Sequence, residues 1–267
     1  MTILSSKTHQ IIQSTIRKQS LSAVASQKSK SADMSRRLVH HSSLAVIPPP
    51  AMEDVWEQLN GLRHKLKDKG YYRWPPHINL LYPFIDFSTI DALESVTALA
   101  QSLESIQPFE IELSEFDCFG GKDRGVLWLK PSVIGASEES PLQQIYNTCI
   151  NTIPEYTEIA RPARPFAPHM TVTHTTSKNE AQVQASIQQE SWESVKFPVN
   201  YIYILSRDVN AENGGQYTLS WTIPLGGRDP IYEGGRRLDL MPVHEEEWVR
   251  EAKNKTYNRK KGRGKMR

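Results

Sequence analysis

The chain has 267 residues, 38% of them hydrophobic and 23% charged, which suits an ordinary globular body with one large or two small cores. Its two cysteines, Cys118 and Cys149, make no metal-ligand or redox spacing, and no apolar run approaches the roughly 18 residues of a membrane span. The net charge of +2 conceals an acidic body, −12 over residues 38–249, between basic ends of +6 (1–37) and +8 (250–267); this argues against a broad duplex-binding face, which needs positive charge, and leaves room for a small site handling one or two phosphates.

Residues 1–37 form a basic, Ser-rich leader. Ile11, Ile12, Ile16 and Leu21 fall near helical spacing around Arg17 and Lys18, so the segment reads either as an organelle transit peptide or as a disordered leader. The body then begins, with expected bounds 38–226. Residues 36–47 predict a strand ending at Pro48–Pro50. Residues 51–69 predict a helix with Met52, Val55, Trp56, Leu59, Leu62 and Leu66 on one stripe and Gly70 as the stop. A strand over 77–82 follows, then a helix capped by Ser88 that runs to about residue 105. Segments 108–118 and 125–130 alternate like paired strands around the loop "GGKDRG". A helix over 140–151, a strand over 169–174 and a helix opened by a capping box at Ser177 and Glu180 come next. Strands over 195–206 and 216–224 close the body. A C-terminal extension (227–249) and a basic, solvated tail (250–267) complete the chain. Mixed helices and strands with short turns predict an α+β fold with antiparallel pairing rather than a doubly wound parallel sheet.

Two stretches carry the chemistry. "PPHINL" (75–80) and "APHMTV" (167–172) both read Pro-His-apolar-(Asn/Thr)-apolar, with His77 and His169 92 residues apart. In an extended chain His77 and Asn79 share one face, as do His169 and Thr171. A proline before each histidine favours a strand start or edge. A single buried histidine is most often a satisfied core group; the duplication predicts two lobes that bring four polar side chains into one cleft. Two imidazoles supply a general base and a general acid near neutral pH, and the Thr171 hydroxyl and Asn79 amide can donate to phosphate oxygens. The pattern points to a phosphodiester substrate and needs neither metal nor cofactor. His169 and His174, five apart on a strand, are expected on opposite faces and so make no zinc pair.

The paired motifs "PPHINLLYPF" and "RPFAPHMTV", with the closing strand "YTLSWTIPLG", resemble the two-histidine (2H) phosphoesterase superfamily, in its branch of 2'-5' RNA ligase-like and cyclic phosphodiesterase-like proteins. The resemblance covers about 38–226. It implies a bilobal, pseudo-two-fold arrangement of two antiparallel sheets flanked by helices around a central cleft. It also implies metal-independent action on RNA or nucleotide 2',3'-cyclic phosphates or 2'-5' linkages, with reversible ligation included. The family pattern is His-x-Thr/Ser twice, so His77 and His169 become the candidate catalytic pair and Asn79 and Thr171 the phosphate binders, Asn79 being a departure from the pattern.

Arg164, five residues before His169, is a candidate phosphate-binding cation, with Arg161 a weaker one. Trp74 is a candidate base-stacking residue, or else a buried anchor. By strand parity Tyr82 faces away from His77 and Thr173 shares the His169 face. His40 and His41 read as structural, and "HEEEW" (244–248) lacks the second histidine of a metalloprotease helix. The competing reading is a non-catalytic module that binds RNA ends or nucleotides in the same cleft. A monomer without membrane contact is expected in a reduced, intracellular setting. The leader points to mitochondrion or plastid and the tail to the nucleus, a choice the residues leave open.

Overall fold

A computed structural model of the chain describes residues 38–135, 139–157, 165–211, 215–252 and 254. The leader, Arg161, Arg164 and nearly all of the basic tail lie outside the described residues. The predicted first strand is two: β1 (Leu38–Val39) and β2 (Ser42–Val46), separated by a turn at His40 and His41. The three prolines that follow β2 offer carbonyls without N–H groups. The indole Nε1 of the fully buried Trp56 donates to the carbonyls of Pro48 (3.1 Å) and Pro49 (3.2 Å), which ties this connection to the helix it leads into.

That helix, α1 (Glu53–Lys65), buries Val55, Trp56, Leu59 and Leu62 as the stripe predicts, and also Arg63. It stops short of Gly70. Lys67 takes a left-handed conformation (φ 52°), and Asp68 then accepts from the Gly70 N–H at 3.1 Å, so the chain turns before the glycine is reached. β3 (Ile78–Leu81), β4 (Phe84–Ile85), α2 (Leu93–Ser102), β5 (Phe109–Gly120) and β6 (Gly125–Val133) follow. The β5–β6 hairpin turns through the predicted loop. Gly125 is required there, because a Cβ would collide with the Ser177 carbonyl and the Thr175 hydroxyl. α3 (Pro141–Thr152), the single-turn α4 (Pro154–Thr157), β7 (Met170–Thr175) and α5 (Lys178–Gln189) complete the middle of the chain. At α5 the Ser177 hydroxyl accepts from the Glu180 N–H (3.2 Å), while the Glu180 carboxylate takes the Thr176 N–H (2.8 Å) and hydroxyl (2.6 Å), a capping box displaced by one residue.

The predicted strand 195–206 breaks at Asn200 into β8 (Val195–Val199) and β9 (Tyr201–Ser206). β8 pairs with β5, whereas β9 lies between β2 and β10 (Thr218–Pro224). The chain thus passes from one end of the sheet to the other half within one residue. β11 (Ile231–Arg236), which sequence pattern did not reveal, adds to β10 beyond residue 226. It escapes detection because it is an exposed edge strand with two glycines and no apolar alternation. The large sheet runs β11-β10-β9-β2-β3-β7-β6-β5-β8, every pair antiparallel, and β1 with β4 forms a second, two-stranded antiparallel sheet. Within the large sheet β3 and β7 are joined by one residue pair only, Ile78 opposite Met170. Two antiparallel halves therefore meet at that bridge, which gives the α+β, two-lobed architecture expected.

The main core packs Ile78, Leu81, Leu129, Met170 and Ile204 with residues of the helices, and a smaller cluster holds Ala45, Ile47, Trp56, Tyr217, Leu219, Leu238 and Met241. Between α1 and β7 lies a buried ion pair. The Arg63 guanidinium donates twice to Asp68 Oδ2 (Nε 3.0 Å, Nη2 2.8 Å), and their side chains are 4% and 2% exposed. Its third donor reaches the Trp74 carbonyl at 2.9 Å. Removing one partner strands a charge away from water, at a cost of about 3–5 kcal/mol. Asp68→Ala is expected to lose that much in urea denaturation, and Arg63→Met with Asp68→Leu to lose less than either single change.

Candidate active site

The Ile78–Met170 bridge decides what faces what. Both side chains are fully buried in the core, so their strand neighbours His77, Asn79, His169 and Thr171 project from the opposite face, where all four are half-exposed. Carrying the antiparallel register one step either way sets His77 opposite Thr171 and Asn79 opposite His169. The four residues singled out in the sequence are brought together in adjacent cross-strand positions.

Each imidazole is held in the same way. His77 Nδ1 lies 2.8 Å from the Pro75 carbonyl, and His169 Nδ1 2.8 Å from the Ala167 carbonyl. A carbonyl only accepts, so Nδ1 carries the proton in both rings and Nε2 is left for the cleft. At His77 that position is occupied. The Ser43 hydroxyl donates to Asn79 Oδ1 at 2.6 Å, which orients the amide so that Nδ2 donates to His77 Nε2 at 2.9 Å. Burial pushes the His77 pKa down from 6.5 to about 4; the charges of Arg63 and His169 add to this, while the Pro75 carbonyl and Asp68 oppose it. His169 is also lowered, by burial first and by the charge of His174, against the Ala167 carbonyl.

Aromatic side chains wall each ring. Trp74 stacks on His77 (centroids 4.5 Å apart, 15°) and on Tyr217 (3.6 Å, 20°). Two near-parallel partners at these distances need the two faces of the indole. A nucleobase finds only its edge, which corrects the expectation that Trp74 stacks a base and makes it a support for His77. On the other side Phe119 and Trp128 stack on each other (4.7 Å, 23°) and meet His169 edge-on at 5.0 and 5.8 Å. Neither residue is near a motif in sequence. Trp128 arrives as the cross-strand partner of Thr171 and Phe119 through the β5–β6 hairpin.

Strand parity fails just past both motifs, for one reason. β3 carries an extra residue opposite Ala45 and Leu44, which leaves Leu80 unpaired, and β7 carries one opposite Trp128 and Leu127, which leaves Val172 unpaired. The two bulges, like the two histidines, lie 92 residues apart. Each reverses the alternation beyond it. Thr173, expected beside His169, turns inward, is 3% exposed and donates to the Leu66 carbonyl at 3.1 Å. Tyr82 and His174, expected on the far face, emerge on the cleft face at equivalent positions. Tyr82 is 42% exposed with its ring roughly perpendicular to that of Trp74, and the His174 side chain is 49% exposed with Nδ1 3.4 Å from Asp68. A tyrosine and a histidine five residues after the motif histidines were the available signal, unreadable without the bulges. Arg164 falls outside the described residues. Among the described residues no cluster of three or more His, Cys, Asp or Glu could hold a metal ion.

Between pH 6.5 and about 4 the unfolded chain binds a proton at His77 that the folded chain refuses. Stability is therefore full above 6.5 and falls as pH drops through that window. The melting temperature of the wild type is expected to decline more steeply across it than that of His77→Gln; parallel curves would contradict the shift.

A family model, the 2'-5' RNA ligase superfamily, matches residues 48–211. Among solved structures the chain is similar to TT0787 of Thermus thermophilus (18% identity, 70% of this chain and 98% of that chain, TM-score 0.46) and to LigT of E. coli complexed with 3'-AMP (17%, 70% and 98%, TM-score 0.45). No curated protein matches.

Proposed function

The chain belongs to the 2'-5' RNA ligase superfamily, and from that premise we propose that it is a phosphodiesterase acting on 2',3'-cyclic phosphates or 2'-5' linkages of RNA ends or nucleotides. Superfamily membership points to phosphoesterase- or RNA ligase-like activity. The observation that supports the finer reading is the pair of imidazoles at equivalent positions on either side of one bridge, each with its Nδ1 bound to a carbonyl two residues back.

In hydrolysis of a cyclic phosphate, one neutral imidazole takes a proton from water as its oxygen bonds to phosphorus. The other ring, protonated, gives its proton to the ribose oxygen as the P–O bond breaks, leaving a phosphomonoester. The Thr171 hydroxyl and Asn79 amide donate to the non-bridging oxygens, where charge accumulates. In ligation a ribose hydroxyl replaces water, and the roles of the two rings exchange with the direction of reaction. Burial keeps both rings below 6.5 in the free protein, so the protonated partner is scarce at neutral pH. kcat/KM is expected to be bell-shaped with its optimum below 6.5; a rate that only climbs toward high pH contradicts the assignment.

The decisive assay is hydrolysis of a nucleoside 2',3'-cyclic phosphate with chelator present. Activity is expected to persist in chelator and to fall by about 10²–10⁴ in kcat for His77→Ala and for His169→Ala. The Asn79–His77 bond favours a second reading, a non-catalytic module for RNA ends, because it occupies the nitrogen that catalysis needs. Tight binding of such an end without product would select that reading.

A further inference from the structure

Building on the phosphodiesterase reading, we infer that His174 is a specificity-determining residue that engages the phosphate next to the reacting one, so that the protein prefers an oligonucleotide end over a lone nucleotide. The bulge at Val172 is what turns His174 to the cleft face, beyond Thr171 on the same strand. Three residues of strand separate them by about 10 Å. A phosphate held at His169 and Thr171 therefore leaves His174 beside its neighbour along the chain.

The ring is prepared for an anion. Its Nδ1 faces Asp68 Oδ1 at 3.4 Å, which leaves Nε2 to the cleft. Asp68 is 1% exposed and cannot swing away, since Arg63 holds its other oxygen twice and the Gly70 N–H holds Oδ1. The carboxylate behind the ring is therefore fixed in place. The other charged groups around it are Arg63 of α1, behind Asp68, and His169 on the same strand; Glu180 of α5 is engaged by Thr176 with Lys69 nearby, and β6 presents the uncharged Val126 directly opposite. The equivalent position in the other half is Tyr82, which has no carboxylate behind it in this way and lies against Trp74. The pseudo-symmetry is thus broken at this pair, as it is at Asn79 and Thr171, giving the cleft an imidazole at one end and a phenol at the other. A chain of phosphates is directed toward the β7 side.

The test compares kcat/KM for a dinucleotide ending in a 2',3'-cyclic phosphate with that for a nucleoside 2',3'-cyclic phosphate. The wild type is expected to prefer the dinucleotide. His174→Gln should reduce the preference roughly three- to tenfold, chiefly through KM. His174→Arg should keep it. A preference unmoved in His174→Gln, or an equal loss on both substrates, overturns the inference. Should the wild type turn over neither substrate, it is the phosphodiesterase reading that fails. The inference about His174 is then read from the Kd ratio of a dinucleotide 3'-phosphate to a nucleoside 3'-phosphate, which His174→Gln must lower for it to stand.

Discussion

One cross-strand pair governs this molecule. Ile78 and Met170 close the seam between two antiparallel halves, and both are fully buried. Because alternate residues of a strand point to opposite faces, committing these two to the core commits their neighbours to the cleft. A slip of one residue at this bridge would send both imidazoles inward and bring Ile78 and Met170 to water, exchanging favourable apolar burial for two unsatisfied polar rings. Hydrophobic burial of the seam thereby sets the geometry of the polar face.

A second constraint acts from behind. The loop from α1 to β3 carries Trp74 and His77, and it is anchored by the buried Arg63–Asp68 pair. Arg63 reaches the Trp74 carbonyl, Trp74 stacks on His77, and Asp68 faces His174 of the opposite half. A buried ion pair is weak evidence for stability as such. Here it connects the two halves of the cleft, and its directional hydrogen bonds define the placement of the loop in a way that an apolar pair would not.

The environment of the two rings also bears on the proposed chemistry. Burial favours the neutral form of each. On the proposed phosphodiesterase reading, a phosphate entering between them brings negative charge that favours protonation of one ring, so that substrate binding itself would create the acid–base asymmetry. Asn79 adds a step of its own: the amide that donates to His77 must turn its N–H toward the substrate before that ring can accept a proton.

Local patterns were enough to find most helices and strands, the α+β class, the α5 capping box and the duplicated motif with His77, Asn79, His169 and Thr171, because 3.6-residue and two-residue periodicities and turn chemistry are written within a few neighbouring positions. The break of one apolar run into β8 and β9 was invisible, since a single residue, Asn200, separates two strand-like pieces and it is their partners that differ. So were the edge strand β11, the aromatic wall from Phe119 and Trp128, which reaches the cleft from distant strands, and Tyr217, buried against Trp74. The roles of Tyr82, Thr173 and His174 were misread for a sharper reason: parity is a property of an isolated strand, whereas a bulge arises only when that strand must match a neighbour. The sequence by itself determined that a Pro-His-apolar-polar motif occurs in two copies; tertiary pairing alone decided which neighbours join those residues, because register and its interruptions are set between strands and not within one.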